Sequence, residues 1–356
     1  MQPRLLILLS FAFLCAVAVA LVYAPWRQSP SSAGRDGPAA QRAQAPPRDG
    51  PRLLSQFNTD NLTIPAAEIQ AGGPPRDGIP ALTGPHVVSV GDADFMRPDD
   101  RVVVVSLGET SRAYPIRALN WHEAANDQLN DTPFTVIYCP LCDSVSVVDR
   151  RIEAGEGEVT TLEFGISGLL HNSNVLLYDR TDDALWSQVK FEAVSGPHAG
   201  SALKHLPWEI TTFDRWRREH PEGTVMSFRT GHRRDYQRNP YERYFQEDGL
   251  MFPVSRRDDR LPDRARIVGV QLGDLARAYP VERIASAADG RVVEQFGEHR
   301  LVLEADAESG TVRVVEAPSA ARTVHTFWFG WAAYHDDTGI YGEPDGQRAS
   351  GDEPSS

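Results

Sequence analysis

The tetrapeptide Arg112-Ala-Tyr-Pro115 recurs 165 positions later as Arg277-Ala-Tyr-Pro280. Each copy follows a valine-rich stretch (Val102 to Leu107; Ile267 to Leu272) and a turn glycine, Gly108 or Gly273. That is the pattern of a β-hairpin, and the closing proline suits the first turn of a helix. A repeat of this length restricts the fold to two related β-rich halves, about residues 100–165 and 265–316. The expectation is a β-dominated α+β protein with an internal duplication and a short helix after each Tyr-Pro. Without a gap, the same offset lays Thr135 to Tyr138 over Arg300 to Leu303 and Cys139 to Cys142 over Glu304 to Ala307. It also sets Trp121-His122-Glu123 against Ser286-Ala287-Ala288. The first half is therefore expected to carry the chemistry and the second to support it. Between them, Thr160 to Phe164 and Val175 to Tyr178 read as strands, and Phe213 to His220 as a helix stopped by Pro221.

The densest chemistry is in Phe134-Thr-Val-Ile-Tyr-Cys-Pro-Leu-Cys-Asp-Ser-Val-Ser-Val-Val148. Strand-forming residues flank Cys139-Pro140-Leu141-Cys142, so the four read as a hairpin connection. Two residues between cysteines is the spacing of redox pairs and of zinc knuckles. The residues after Cys142 read as strand, so no helix N-terminus lowers a thiol pKa and activation falls to a side chain. His122 is the leading candidate and His171, in Leu169-Leu-His-Asn-Ser173, the next. Glu123, Asn126 and Asp127 crowd the His122 segment and bury poorly unless paired. Trp186, next to Ser187-Gln188, is a further candidate to line the site.

Three readings follow. The favoured one is thiol/disulfide redox by Cys139, Cys142 and His122, with no cofactor and an unspecified protein or small-molecule redox partner. The second places zinc or copper on Cys139, Cys142, His122 and His171. The third is an envelope binding module with a structural disulfide. Other signatures fail: His122-Glu-Ala-Ala-Asn126 has Asn where a zinc protease has His, and Asp143 stands where haem attachment needs His. No phosphate loop or dinucleotide fingerprint is present.

The chain of 356 residues is 41% hydrophobic, enough for a full core. Leu5 to Ala24 is an uncharged, mostly apolar run behind Arg4. Residues 1–27 thus read as a signal peptide or an N-terminal membrane anchor, and both export the rest to a periplasmic or extracytoplasmic location. There the only thiols beyond Cys15 of the export segment, Cys139 and Cys142, can form a disulfide. Residues 28–52 are rich in Pro, Gly, Ala and Ser and read as a disordered linker, 53–341 as the folded domain, and 342–356 as a disordered tail. Beyond residue 52 the chain holds 30 basic against 47 acidic residues. This surface argues against nucleic acid, and confines membrane contact to the N-terminal segment.

Asp77-Gly-Ile-Pro80, Arg112-Ala-Tyr-Pro115, Trp121-His-Glu123, Tyr138-Cys-Pro-Leu-Cys142, Phe164-Gly-Ile-Ser-Gly168, Tyr178-Asp-Arg-Thr181, Leu185-Trp-Ser-Gln188 and Phe327-Trp-Phe-Gly-Trp-Ala-Ala333 together resemble a bacterial and archaeal family. It is domain-of-unknown-function family 3179, and the resemblance runs from about Asp60 to Tyr341. Some members carry selenocysteine in the cysteine segment, which implies redox chemistry there. The motifs carrying the resemblance add Asp179 and Gln188 to Trp186 as supporting residues.

Overall fold

A computed structural model describes residues 50–153, 157–306 and 310–344. The expected export segment, nearly all of the linker and most of the tail lie outside the described residues. The linker's last residues belong to a helix, Gly50–Leu54, whose Leu53 and Leu54 pack on an apolar cluster. No helix among the described residues is long and apolar enough to cross a membrane.

Strands dominate, as the alternation of valine-rich runs and turn residues requires. The first valine run forms Arg101–Leu107, paired with Thr110–Pro115 in a hairpin. The helix Ile116–His122 starts immediately after Pro115, and a three-strand meander follows: Ala124–Leu129, Thr132–Cys139, Ser144–Asp149. The same order recurs as the hairpin Arg266–Leu272/Leu275–Pro280, the helix Val281–Ala285 and the meander Arg291–Phe296, His299–Asp306, Thr311–Glu316. In both places Arg and Tyr of the Arg-Ala-Tyr-Pro segment hold a carboxylate of the following strand. Arg112 and Tyr114 hold Asp127; Arg277 and Tyr279 hold Glu294.

The correspondence continues past residue 316, with a changed offset. Ala113 lies beside Val225 in parallel pairing, as Ala278 lies beside Ile340. Arg101 lies opposite Thr212, as Arg266 lies opposite Phe327. From 225 to 340, and from 212 to 327, the step is 115. The difference arises where the first half inserts residues 150–207. That stretch builds most of a separate five-stranded sheet in the order Ile69–Ala71, Phe164–His171, Asn174–Asp179, Leu185–Ser187, Glu192–Ala193.

The first meander and the second hairpin share one eight-stranded sheet. They are joined through Arg322–Phe327, whose His325 pairs with Val145. The largest cluster of the core lies where this sheet meets the inserted one. It holds Ile137, Leu141, Phe164, Ile166, Val175, Leu177, Tyr241, Tyr244, Phe252, Phe327 and Phe329 around Cys139 and Cys142. Each large apolar side chain buried there contributes roughly 1.5–3 kcal/mol.

Candidate functional site

Cys139 ends one strand of the first meander and lies opposite Ser144, which opens the next, so Pro140 to Asp143 form the connecting turn. The turn closes with Asp143 in left-handed backbone, φ 47°. A non-glycine residue there is strained unless its surroundings hold it. Asp143 is held on every side: its carboxylate accepts from Arg101 at 3.0 Å, Arg266 at 3.2 Å and Tyr138 at 3.1 Å. Burial would raise its pKa, but the charges of Arg101, His325 and Arg266 outweigh it and bring it to about 2.

Both thiols are free and almost fully buried. The roof is the hairpin between Phe164–His171 and Asn174–Asp179. Its two tip residues, Asn172 (φ 48°) and Ser173 (φ 61°), are both left-handed, the signature of a two-residue type I′ turn. The tip aims the Ser173 carbonyl at the pair, 3.2 Å from Cys142 Sγ and 4.0 Å from Cys139 Sγ. Beside Cys142, Gln188 Oε1 accepts from Ser144 at 2.6 Å and from the Asn174 amide at 2.9 Å. Gln188 in turn donates to the carbonyls of Ile137 and Ser144.

A third wall is the helix Trp328–Ala332. A Cβ on Gly330 would stand 2.9 Å from Thr326 Oγ1 and 3.4 Å from Cys142 Sγ, so only glycine lets the helix approach this closely. Three phenols complete the enclosure, Tyr241 and Tyr244 buried and Tyr334 half-buried. Tyr241 donates to Glu123 at 3.0 Å, Tyr244 to the Leu141 carbonyl at 2.9 Å, and Tyr334 to the His171 carbonyl at 2.7 Å.

The two sulfurs are not equivalent. Burial pushes Cys139 up, but a hydrogen bond from Cys142 and the backbone amides of Cys142, Val175 and Leu141 together bring its pKa below the ordinary thiol value. Cys142 is driven well above that value by burial, by its hydrogen bond to Cys139 and by the charge on Cys139. Of the two, Cys139 is therefore the sulfur that ionises first and Cys142 the one that keeps its proton longer.

Besides Cys142, Glu123 is an expected residue that senses the charge of an ionised Cys139. It caps the helix Ile116–His122 in left-handed backbone (φ 58°), its amide bonded to Leu119 and its carbonyl accepting from Tyr138, next to Cys139. Burial, then the charge of Cys139, push its carboxyl up to about 8 against the pull of Tyr241. Glu123 therefore keeps its proton at neutral pH, and ionisation of Cys139 strengthens that hold.

His122, expected to activate the thiol, faces elsewhere. Its Nδ1 meets the Pro80 carbonyl at 2.8 Å and its Nε2 meets Tyr236 Oη at 2.7 Å. Burial lowers its pKa to about 4, so it is neutral at physiological pH and supplies no positive charge. His171 directs Nε2 to Glu68 at 3.0 Å. No three of Cys139, Cys142, His122 and His171 bring ligand atoms within 4.8 Å of one another; among the described residues such a group occurs at Glu209, Glu219 and His220.

Of the remaining expected residues, Trp186 packs in the same apolar cluster as the two cysteines, while Asn126, Asp127 and Asp179 make the following contacts. Asn126 ties strands together, donating to Leu82 and Phe164 carbonyls and accepting from Thr135 and the Phe164 amide. Asp127 belongs to the Arg112–Tyr114 clamp. Asp179 accepts from Trp186 Nε1 at 2.8 Å and from two amides of its own turn. Sequence reasoning missed Ser173, Asn174, Gly330, Tyr241 and Tyr244. For the first two a signal existed: Asn172-Ser173 between apolar strand runs is a turn pair.

The model of a family described as Protein of unknown function (DUF3179) matches residues 76–326. The chain belongs to this family. The match takes in the first meander, four of the five strands of the separate sheet, the second hairpin and most of the strand that joins the halves. No curated protein and no solved structure matches the chain. The DUF3179 family carries no assigned reaction in its description, so the argument for one rests on the site.

Proposed function

We propose that this DUF3179 protein is an exported thiol-disulfide oxidoreductase in which Cys139 and Cys142 cycle between dithiol and disulfide. The observation that carries the reading is the division of labour between the two sulfurs. Two free, buried sulfurs close one turn and both reach the Ser173 carbonyl, and their surroundings lower the pKa of Cys139 while raising that of Cys142. In the forward half-cycle, the Cys139 thiolate attacks an oxidant and forms a covalent adduct. Cys142 then gives up its proton, attacks the Cys139 sulfur and displaces the reduced fragment, leaving the disulfide; an external dithiol restores the pair. The reading takes the two halves as copies of one unit of which the first keeps the thiols, supported by their shared element order.

The test is a redox titration of the full folded chain in buffers of reduced and oxidised dithiothreitol, quenched with an alkylating agent and weighed by mass spectrometry. Species with Cys139 and Cys142 both blocked should give way to species with neither of the two blocked in one two-electron step, Cys15 staying blocked throughout. Two thiols that stay alkylatable across the whole range would end the redox reading.

A further inference from the structure

The enclosure around the pair restricts what reaches it. Cys139 is 1% exposed and Cys142 0%. Exchange with another protein's disulfide requires an in-line approach of a bulky sulfur to Cys139, and the Ser173 tip, the Gly330 helix and the tyrosines block it. A water-sized molecule meets a smaller barrier. The pocket also has polarity to offer. Ser173 Oγ and Asn174 Oδ1, at the tip of the hairpin over the sulfurs and the residue after it, are buried with no hydrogen-bond partner among the described residues. Buried polar atoms are almost always satisfied, and two orphans on one tip suit a small guest that donates hydrogen bonds. Glu123, the third element, holds a proton beside Cys139, has Tyr241 as its hydrogen-bond partner and forms no ion pair. A leaving thiolate, whose conjugate acid has a pKa of about 8.5, departs without help. A leaving hydroxide, whose conjugate acid is water at about 15.7, needs a proton in the transition state.

We propose that the oxidant consumed at this site is a small hydroperoxide, accepted by Ser173 and Asn174 and attacked by Cys139, with Glu123 giving the departing oxygen its proton. The proposal rests on the thiol-redox reading above and names its substrate class. The Cys139 sulfur bonds to one peroxide oxygen and the O–O bond breaks. The second oxygen takes the Glu123 proton and leaves as water, or as an alcohol from an organic hydroperoxide. The remaining oxygen stays on Cys139 as a sulfenic acid. Cys142 then attacks that sulfur, its own proton leaves with the sulfenic hydroxyl as a second water, and the disulfide forms. A small external dithiol returns two electrons and two protons, one to Cys142 and one to Glu123.

The experiment compares two reagents on the full chain at pH 7. Hydrogen peroxide needs a proton on its leaving group; methyl methanethiosulfonate expels a sulfinate and needs none. Wild type should consume one equivalent of hydrogen peroxide and become the disulfide, and Cys142→Ser should stop at a Cys139 sulfenic acid that dimedone traps. Glu123→Gln keeps the size and the acceptor for Tyr241. It should slow peroxide about 10²-fold and leave the thiosulfonate rate within about twofold. An equal loss with both reagents makes Glu123 structural and overturns its role. Thiols that equilibrate with dithiothreitol yet react with hydrogen peroxide no faster than free cysteine overturn the substrate class and leave the redox reading standing. Failure to equilibrate with dithiothreitol removes both.

Discussion

Arg101 and Arg266, which occupy the same place in the two hairpins, end on the same carboxylate, that of Asp143. Each opens the first strand of its hairpin, and together they clamp the residue that follows Cys142. The position of the reactive turn is therefore set jointly by both halves of the molecule.

Asp143→Asn should be the most damaging change at this clamp. It leaves the half-buried guanidinium of Arg101 without its counter-charge inside a packed turn, at a cost of about 2 kcal/mol. Arg266→Ala should cost about 0.5–1 kcal/mol, because that side chain is 48% exposed. Urea midpoints at pH 7 with unchanged slopes check the order. With a folded pKa of about 2, below the ordinary 3.8, Asp143 contributes stability that is complete above about pH 4 and is lost as pH falls through about 2.

Gly330→Ala sets two effects against each other. Helix propensity alone favours alanine by about 1 kcal/mol. The new methyl, however, meets Thr326 Oγ1 at 2.9 Å and the Cys142 side chain at 3.3–3.4 Å in a packed core. The expected result is a net loss of about 1–2 kcal/mol together with a slower reaction of Cys142. A stabilised variant would show that the helix stands off the thiols.

Glu123 and His325 bracket the pH range of greatest stability. Glu123 is raised from 4.5 to about 8, so its contribution is complete below about pH 4.5 and is lost as pH rises towards 8. His325 is lowered by burial from 6.5 to about 4, so its contribution is present above about 6.5 and is lost as pH falls towards 4. The two slopes offset each other between about pH 4.5 and 6.5, so wild type should be most stable there and weaken as pH rises from about 6.5 towards 8 or falls below about 4.5. Glu123→Gln should remove the alkaline slope, on the order of 2–4 kcal/mol between about pH 5 and pH 9 by denaturant melts.

His122→Ala should act on stability and not on the thiols. It deletes partners of the Pro80 carbonyl and of Tyr236, which costs about 1–3 kcal/mol. The rate of Cys139 alkylation against pH should keep its midpoint. A midpoint moved upward would restore His122 as a charged neighbour of Cys139.

What was legible in the sequence was local. The valine runs mark both hairpins because four consecutive valines, Val102 to Val105, are covered on both faces of the sheet and are almost fully buried. The Tyr-Pro segments mark the helix starts because Pro115 and Pro280 take the N-cap. What stayed hidden depends on burial and on distant chain. Histidine is ranked first by its ordinary pKa, yet burial sends His122 down to about 4 and its neighbour Glu123 up to about 8, exchanging the two. Ser173 and Gly330 reach the thiols from segments 31 and 188 positions beyond Cys142, which no spacing rule anticipates. The alignment of Trp216 and His220 with Trp331 and His335, ring pairs in both halves, is masked by the fifty-residue change of offset.

The amide of Phe327 and the hydroxyl of Thr326 both end on the carbonyl of Cys142, and the ring of His325 reaches the carbonyl of Asp143. The seam between the halves is thus stitched to the peptide units of the very turn whose sulfurs change their bonding. On the proposed redox reading, each change of oxidation state acts on this joint, and the cohesion of the two halves reports it.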